Sequence, residues 1–115
     1  MDITSMAIED HIRMAIEAEG ERAAKIHGSV FNSPHEAWAV LVEEMEEVRD
    51  ESERLTNGMD DLWHMVRHDQ DPELLLVRMK VIVKRFIQES IQVAAVIDKY
   101  SRTNDLFNRS KEEKK

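Results

Sequence analysis

Chain breakers are scarce: three glycines and two prolines in 115 residues, and neither type after Pro72. A chain so rarely interrupted builds long elements. Apolar residues recur three and four positions apart, and β-branched residues never alternate with polar ones over a strand length, so the elements are helices. The expected fold class is all-α, a bundle of long antiparallel helices. The length sets one small domain, residues 1–107, with a frayed polar tail over 108–115.

Composition narrows the function classes. Acidic residues outnumber basic ones 24 to 16, for a net charge of −8. Without a basic surplus there is nothing to displace counterions from a nucleic-acid backbone, so no nucleic-acid partner is expected. The absence of cysteine excludes a disulfide scaffold, a thiolate zinc site and a cysteine nucleophile. The longest apolar run, Ala37–Val42, is six residues, against roughly 20 for a membrane span. Met1–Ser5 lacks the basic and apolar regions of a signal peptide. The expectation is a soluble cytoplasmic protein that engages no membrane.

Local signals place three main helices. The first runs from Thr4 to His27, with Ile8, Ile12, Ala15, Ile16, Ala23 and Ile26 at helical spacing and Gly28 as its C-terminal glycine. Ser29–Asn32 is a short loop. The second begins with Ser33 as N-cap, Pro34 in the first helical position and Glu36 completing a capping box. It is expected to stop near Leu55, at Asn57-Gly58, with a separate short helix over Asp60–Arg67 and a loop over His68–Asp71. The third starts at Asp71 and Pro72 and runs to about Ser101, roughly 29 residues or about 43 Å. A compact monomer of this length has a radius of gyration of only about 13 Å, so such a helix projects past a monomer's core or lies in an oligomer, and a homo-oligomer is expected.

The acids do not all fall where a solvated coat would put them. With Glu43 at zero and steps of about 100°, Ala37, Leu41, Met45, Val48 and Leu55 lie between about 120° and 200°. Glu46, Asp50 and Glu53 lie opposite with Glu43. Glu44, Glu47 and Glu51 instead form a row at the border of the apolar face, where long side chains can also snorkel outward. On the third helix, Glu89 shares its face with Ile82, Val93, Val96 and Tyr100, all within about 40°. An unpaired carboxylate there is strongly disfavoured. It must be neutral, paired with Arg85, or bound to a cation. Two helices that each turn acids toward the core suit one hard divalent ion. The competing account is a buried ion-pair network of Glu44 and Glu89 with Arg78, Lys84 or Arg85.

The run Leu41-Val42-Glu43-Glu44-Met45-Glu46-Glu47-Val48 resembles the EExxE signature of the all-α nucleoside triphosphate pyrophosphohydrolases, the MazG-like superfamily. His27-Gly28, the string Phe31 to Val40 and the string Glu89 to Ala95 are similar to the phage and prophage branch of that group. The resemblance covers about the middle two-thirds of the chain. It implies Mg²⁺-dependent hydrolysis of (d)NTPs to the monophosphate and pyrophosphate, with Mn²⁺ as a possible substitute, in a homo-dimer or homo-tetramer. By the same resemblance Glu44, Glu47 and Glu89 are catalytic metal ligands, and Glu43 is a weaker candidate. The family's second motif is ExxD, and Gln92 stands where the Asp is expected. An amide oxygen can ligate Mg²⁺ but brings no charge. A second reading therefore stands beside the enzyme: a degenerate relative that binds a nucleotide or a protein without turnover. Glu51 is a candidate for the missing carboxylate.

Arg78 and Arg85 share the Glu89 side of the third helix and could meet phosphates or pair with acids. Lys80 and Lys84 point away. His64 and His68, at i and i+4 with Asp61 a turn earlier, have zinc-compatible spacing but read as an exposed pair. His35 reads as a first-turn residue facing solvent. Trp38 and Trp63 read as anchors in a core or a subunit interface rather than as base-stacking platforms. The seven methionines read as adaptable core filling.

Overall fold

The computed structural model describes residues 3–113. It contains three helices, α1 (Ile3–His27), α2 (Pro34–Arg67) and α3 (Glu73–Glu113), and no strand among the described residues. No helix there is long and apolar enough to cross a membrane.

The caps form as the sequence specifies. Gly28 ends α1 with φ 86° and donates its N–H to Ala24 O at 2.8 Å. A left-handed residue at that point is accessible to glycine without penalty. Ser33 Oγ accepts the Glu36 N–H at 3.1 Å. Glu36 reaches back one residue further than the capping box requires, accepting from Asn32 Nδ2 at 3.0 Å. Asp71 Oδ1 accepts the Glu73 N–H at 3.0 Å and so caps α3.

The helices are longer than expected. Asn57-Gly58 does not stop α2, which continues as one 34-residue helix and absorbs the separate short helix. Gly58 is buried, and a Cβ built there would meet Met79 Cγ at 3.1 Å and Sδ at 3.4 Å. The glycine permits close helix approach, and the packing outweighs about 1 kcal/mol of poor propensity. The stop comes instead at Asp69, with φ 52°. Gln70 N donates to Met65 O at 2.9 Å and Asp69 N to Val66 O at 3.2 Å, which is a Schellman closure. Asp tolerates the left-handed region better than most non-glycine residues. Likewise α3 does not end near Ser101. It spans 41 residues, about 60 Å, so residues 108–113 of the expected frayed tail are helical and the last two lie outside the described residues.

The chain divides into two compact units, residues 1–44 with 91–115, and residues 45–90. The first unit holds the buried apolar residues, Phe31, Ala37 and Ala95. Fully buried Thr103 pins its loop: Thr103 Oγ1 accepts the Phe31 N–H at 2.9 Å and donates to Lys99 O at 2.8 Å. Arg102 Nε donates to Ser29 O at 3.0 Å. On α1, Ala15, Ile16 and Ala23 are half-buried, but Ile8, Ile12 and Ile26 of the same expected stripe are exposed.

The second unit is a helical hairpin. Among its described residues only Glu51 and Gly58 are fully buried. The apolar face read on the wheel is largely the packed one: Ala37 is buried and Leu41, Val48 and Leu55 are half-buried, but Met45 is exposed. Glu44 and Leu62 near 100°, Glu51 near 80° and Met65 near 40° are also inward, so the packed face extends past the expected edge at about 120°. Met45, Met59, Trp63 and Val66, on the apolar flank, are exposed. Glu44 and Glu51 are therefore central to the packed face, not at its border.

The Gly58–Met79 contact makes a quantitative expectation. Gly58→Ala alone is expected to leave stability within about 0.5 kcal/mol of wild type, as propensity and crowding offset each other. In a Met79→Ala background the same change is expected to stabilise by about 1 kcal/mol. Urea denaturation of the four proteins measures the coupling, and strictly additive values would refute it.

Candidate metal centre and adjoining cleft

Glu44 and Glu47 stand one turn apart on α2, and Glu89 stands on α3. One carboxylate oxygen from each lies within 4.8 Å of the others. Glu44 and Glu89 are half-buried, whereas Glu47 is exposed. Ile82, Val93, Val96 and Tyr100, the face-mates of Glu89, are also half-buried. Among the described residues this is the one group of three acids or histidines close enough to hold an ion.

Three such oxygens repel. At an effective dielectric near 20, two unit charges about 5 Å apart cost roughly 3 kcal/mol, and less where water screens Glu47. The donor set suits a hard divalent cation, which takes carboxylate oxygens and keeps several waters. The exposed Glu47 leaves water access to such a position.

Gln92 lies one turn beyond Glu89 and is half-buried. It lines a cleft of about 570 Å³, as does Glu44. This cleft is built entirely from the first unit, by α1, the loop after it, the start of α2 and the end of α3. Its cations are Arg22, Lys99 and Arg102, matched by the carboxylates Glu19, Glu36 and Glu44. Arg22 donates to Glu19 from Nε at 3.0 Å and from Nη2 at 2.5 Å. That hydrogen bonding holds the Glu19 carboxyl below its ordinary range, against some burial that pushes it up. The same bond pushes Arg22 up. Lys99 Nζ sits 4.3 Å from the Phe31 ring centroid, a cation–π distance. With as many acids as bases, the cleft has no net positive charge to attract a polyanion unaided.

The other candidates fall elsewhere. Glu43 is exposed, as are Arg78 and Arg85, and none of the three lines the cleft. The cleft cations were not singled out from sequence. Lys99 and Arg102 follow Gln92 at i+7 and i+10, which puts them on one stripe of α3, and that spacing was the available signal. His64 and His68 form an exposed pair with ring centroids 4.3 Å apart, and His35 is exposed. Trp38 and Trp63 are 62% and 60% exposed, so neither anchors the core of the chain itself. Most methionines described are exposed rather than core filling; Met79 and Met65 are half-buried.

The acid group makes a sign prediction. In chelator, Glu47→Gln is expected to raise the melting temperature by several degrees, because it removes a like charge. In millimolar Mg²⁺ or Mn²⁺ the wild type is expected to gain more than the variant and to overtake it. Differential scanning fluorimetry reads both arms, and a variant that is less stable in both would contradict the assignment.

Compared with family models, curated proteins and solved structures, the chain gives no match.

Proposed function

We propose that the protein is a Mg²⁺-dependent, MazG-like nucleoside triphosphate pyrophosphohydrolase of the cytoplasm, acting as a homo-oligomer. The observation that carries this reading is the convergence of Glu44, Glu47 and Glu89, with one oxygen each within 4.8 Å. These are the residues that the EExxE resemblance and the Glu89 string single out.

In this reading a bound Mg²⁺, for which Mn²⁺ can substitute, supplies Lewis-acid stabilisation of phosphoanhydride oxygens. Glu44 and Glu89 hold the ion, fixed by their half-buried positions. Glu47, the solvent-accessible member, would hold the ion through one oxygen and, with the other, orient the attacking water and accept its proton. Lys99 and Arg102 meet phosphate oxygens from the cleft wall. Phe31 is buried and shapes the cleft rather than stacking a base. Gln92 can orient a ligand through its amide but cannot act as the base.

The assay is pyrophosphate release from each (d)NTP with Mg²⁺. Glu44→Gln and Glu89→Gln are expected to lower kcat/KM by about 100-fold or more. No release from any nucleotide by the wild type sinks the enzyme. Gln92 favours the second reading, a relative that binds a nucleotide without turnover, and Mg²⁺-dependent nucleotide binding without product would support it.

The homo-oligomer rests on a separate observation. On α2, Met45, Met59, Trp63 and Val66 are exposed apolar side chains. On α3, Leu76, Val83 and Ile87 are likewise exposed, and the hairpin buries no apolar side chain fully among the described residues. A second copy offers the same surface and can close it. Light scattering is expected to give twice the chain mass or more, and a monomer at micromolar concentration would refute this part.

A further inference from the structure

Glu51 is 7% exposed, the one charged residue fully buried among those described. Its Oε1 accepts a hydrogen bond from Arg54 Nη1 at 2.6 Å. Arg54 approaches from the solvent side, with its side chain 55% exposed. The other oxygen, Oε2, is buried and has no hydrogen-bond partner among the described residues. A bare, buried carboxylate oxygen is strongly unfavourable unless something completes it.

Its position says what that is. Glu51 follows Glu47 by one turn and stands within about 40° of it on the helix. Both belong to the hairpin unit, as does Glu89. Glu51 lies outside the group of three whose oxygens all approach within 4.8 Å, so it extends that group along α2 rather than crowding it. The Arg54 bond occupies one oxygen and leaves the other for a cation. Meanwhile Gln92, at the position where a further carboxylate is expected, is neutral.

We infer that Glu51 is an additional carboxylate of the metal centre. Its Oε2 contributes to divalent-cation binding with Glu47 and Glu89, directly or through one coordinated water, and restores the charge that Gln92 lacks. Divalent cations of the Mg²⁺ class keep such waters and accept four or more oxygen ligands. The inference rests on the metal-centre reading above and adds a residue to it.

The test is Mn²⁺ binding, followed by the electron paramagnetic resonance signal of free Mn²⁺, for the wild type, Glu44→Gln and Glu51→Gln. Glu51→Gln keeps an oxygen for Arg54 and removes only the charge. It is expected to weaken Mn²⁺ binding by about ten- to hundredfold, with a chelator-treated melting temperature equal to or above the wild type's. Unchanged Mn²⁺ affinity in Glu51→Gln, with binding lost in Glu44→Gln, overturns the role of Glu51 and leaves the metal centre standing. No Mn²⁺ binding by the wild type overturns both. A chelator-treated Glu51→Gln protein far less stable than wild type, with unaltered affinity, would make Glu51 a purely structural partner of Arg54. If Glu51→Gln does not fold, Glu51→Asp replaces it: it keeps the charge, retracts the oxygen, and is expected to bind Mn²⁺ more weakly than wild type.

Discussion

Like charge gathered on the packed side of two helices is the constraint around which this protein is organised. Glu44, Glu47 and Glu89 bring carboxylate oxygens within 4.8 Å of one another, and Glu51 is buried one turn further along. Ordinary helix packing turns such residues out to solvent, because desolvating a carboxylate opposes folding. Here α2 turns Glu44 and Glu51 inward while Met45, Met59 and Trp63 stay exposed. The arrangement needs offsetting positive charge, from side chains or from an ion, and that need ties the local helix geometry to function.

The two units handle stability differently. The first relies on a few specific contacts around a loop: Thr103 accepts from the Phe31 backbone, Arg102 donates to Ser29, and Lys99 lies over the Phe31 ring. Each ties the stretch between α1 and α2 to the last part of α3, and together they shape the cleft. In the hairpin Gly58 stands close against Met79, and Met59, Trp63, Leu76 and Ile87 are exposed. Burial of apolar area is the dominant favourable term in folding, so a hairpin with so little of it depends on what covers it.

Fold class and helix starts were legible because they depend on local chemistry. Ser33, Asp71 and Gly28 act within one turn of where they stand, and all three perform as their side chains dictate. Helix ends were legible only in part: the ends at His27 and Arg67 fall where expected, but the stops expected at Asn57-Gly58 and near Ser101 do not occur. Asn57-Gly58 has every local property of a stop, yet its glycine serves close approach to Met79, a residue 21 positions later. Nothing within a turn of Gly58 carries that information. The stop after Arg67 falls at the start of the expected His68–Asp71 loop, and what the sequence does not announce is that left-handed Asp69, a non-glycine residue, closes it.

For the candidate site the division is similar. Sequence by itself determined that Glu44 and Glu89 are out of place for a solvated coat, since an acid among apolar neighbours breaks helical periodicity wherever the helix packs. It also determined an all-α chain of long helices, through the scarcity of breakers. Only the tertiary structure decided that Glu47 is exposed while Glu51, on the same flank of the wheel, is buried. It likewise decided that Arg22, Lys99 and Arg102, rather than Arg78 and Arg85, line the cleft. The physical reason is that periodicity defines which residues share a face, whereas burial depends on how far each helix rotates against its neighbour. That rotation is set by contacts between residues distant in the chain.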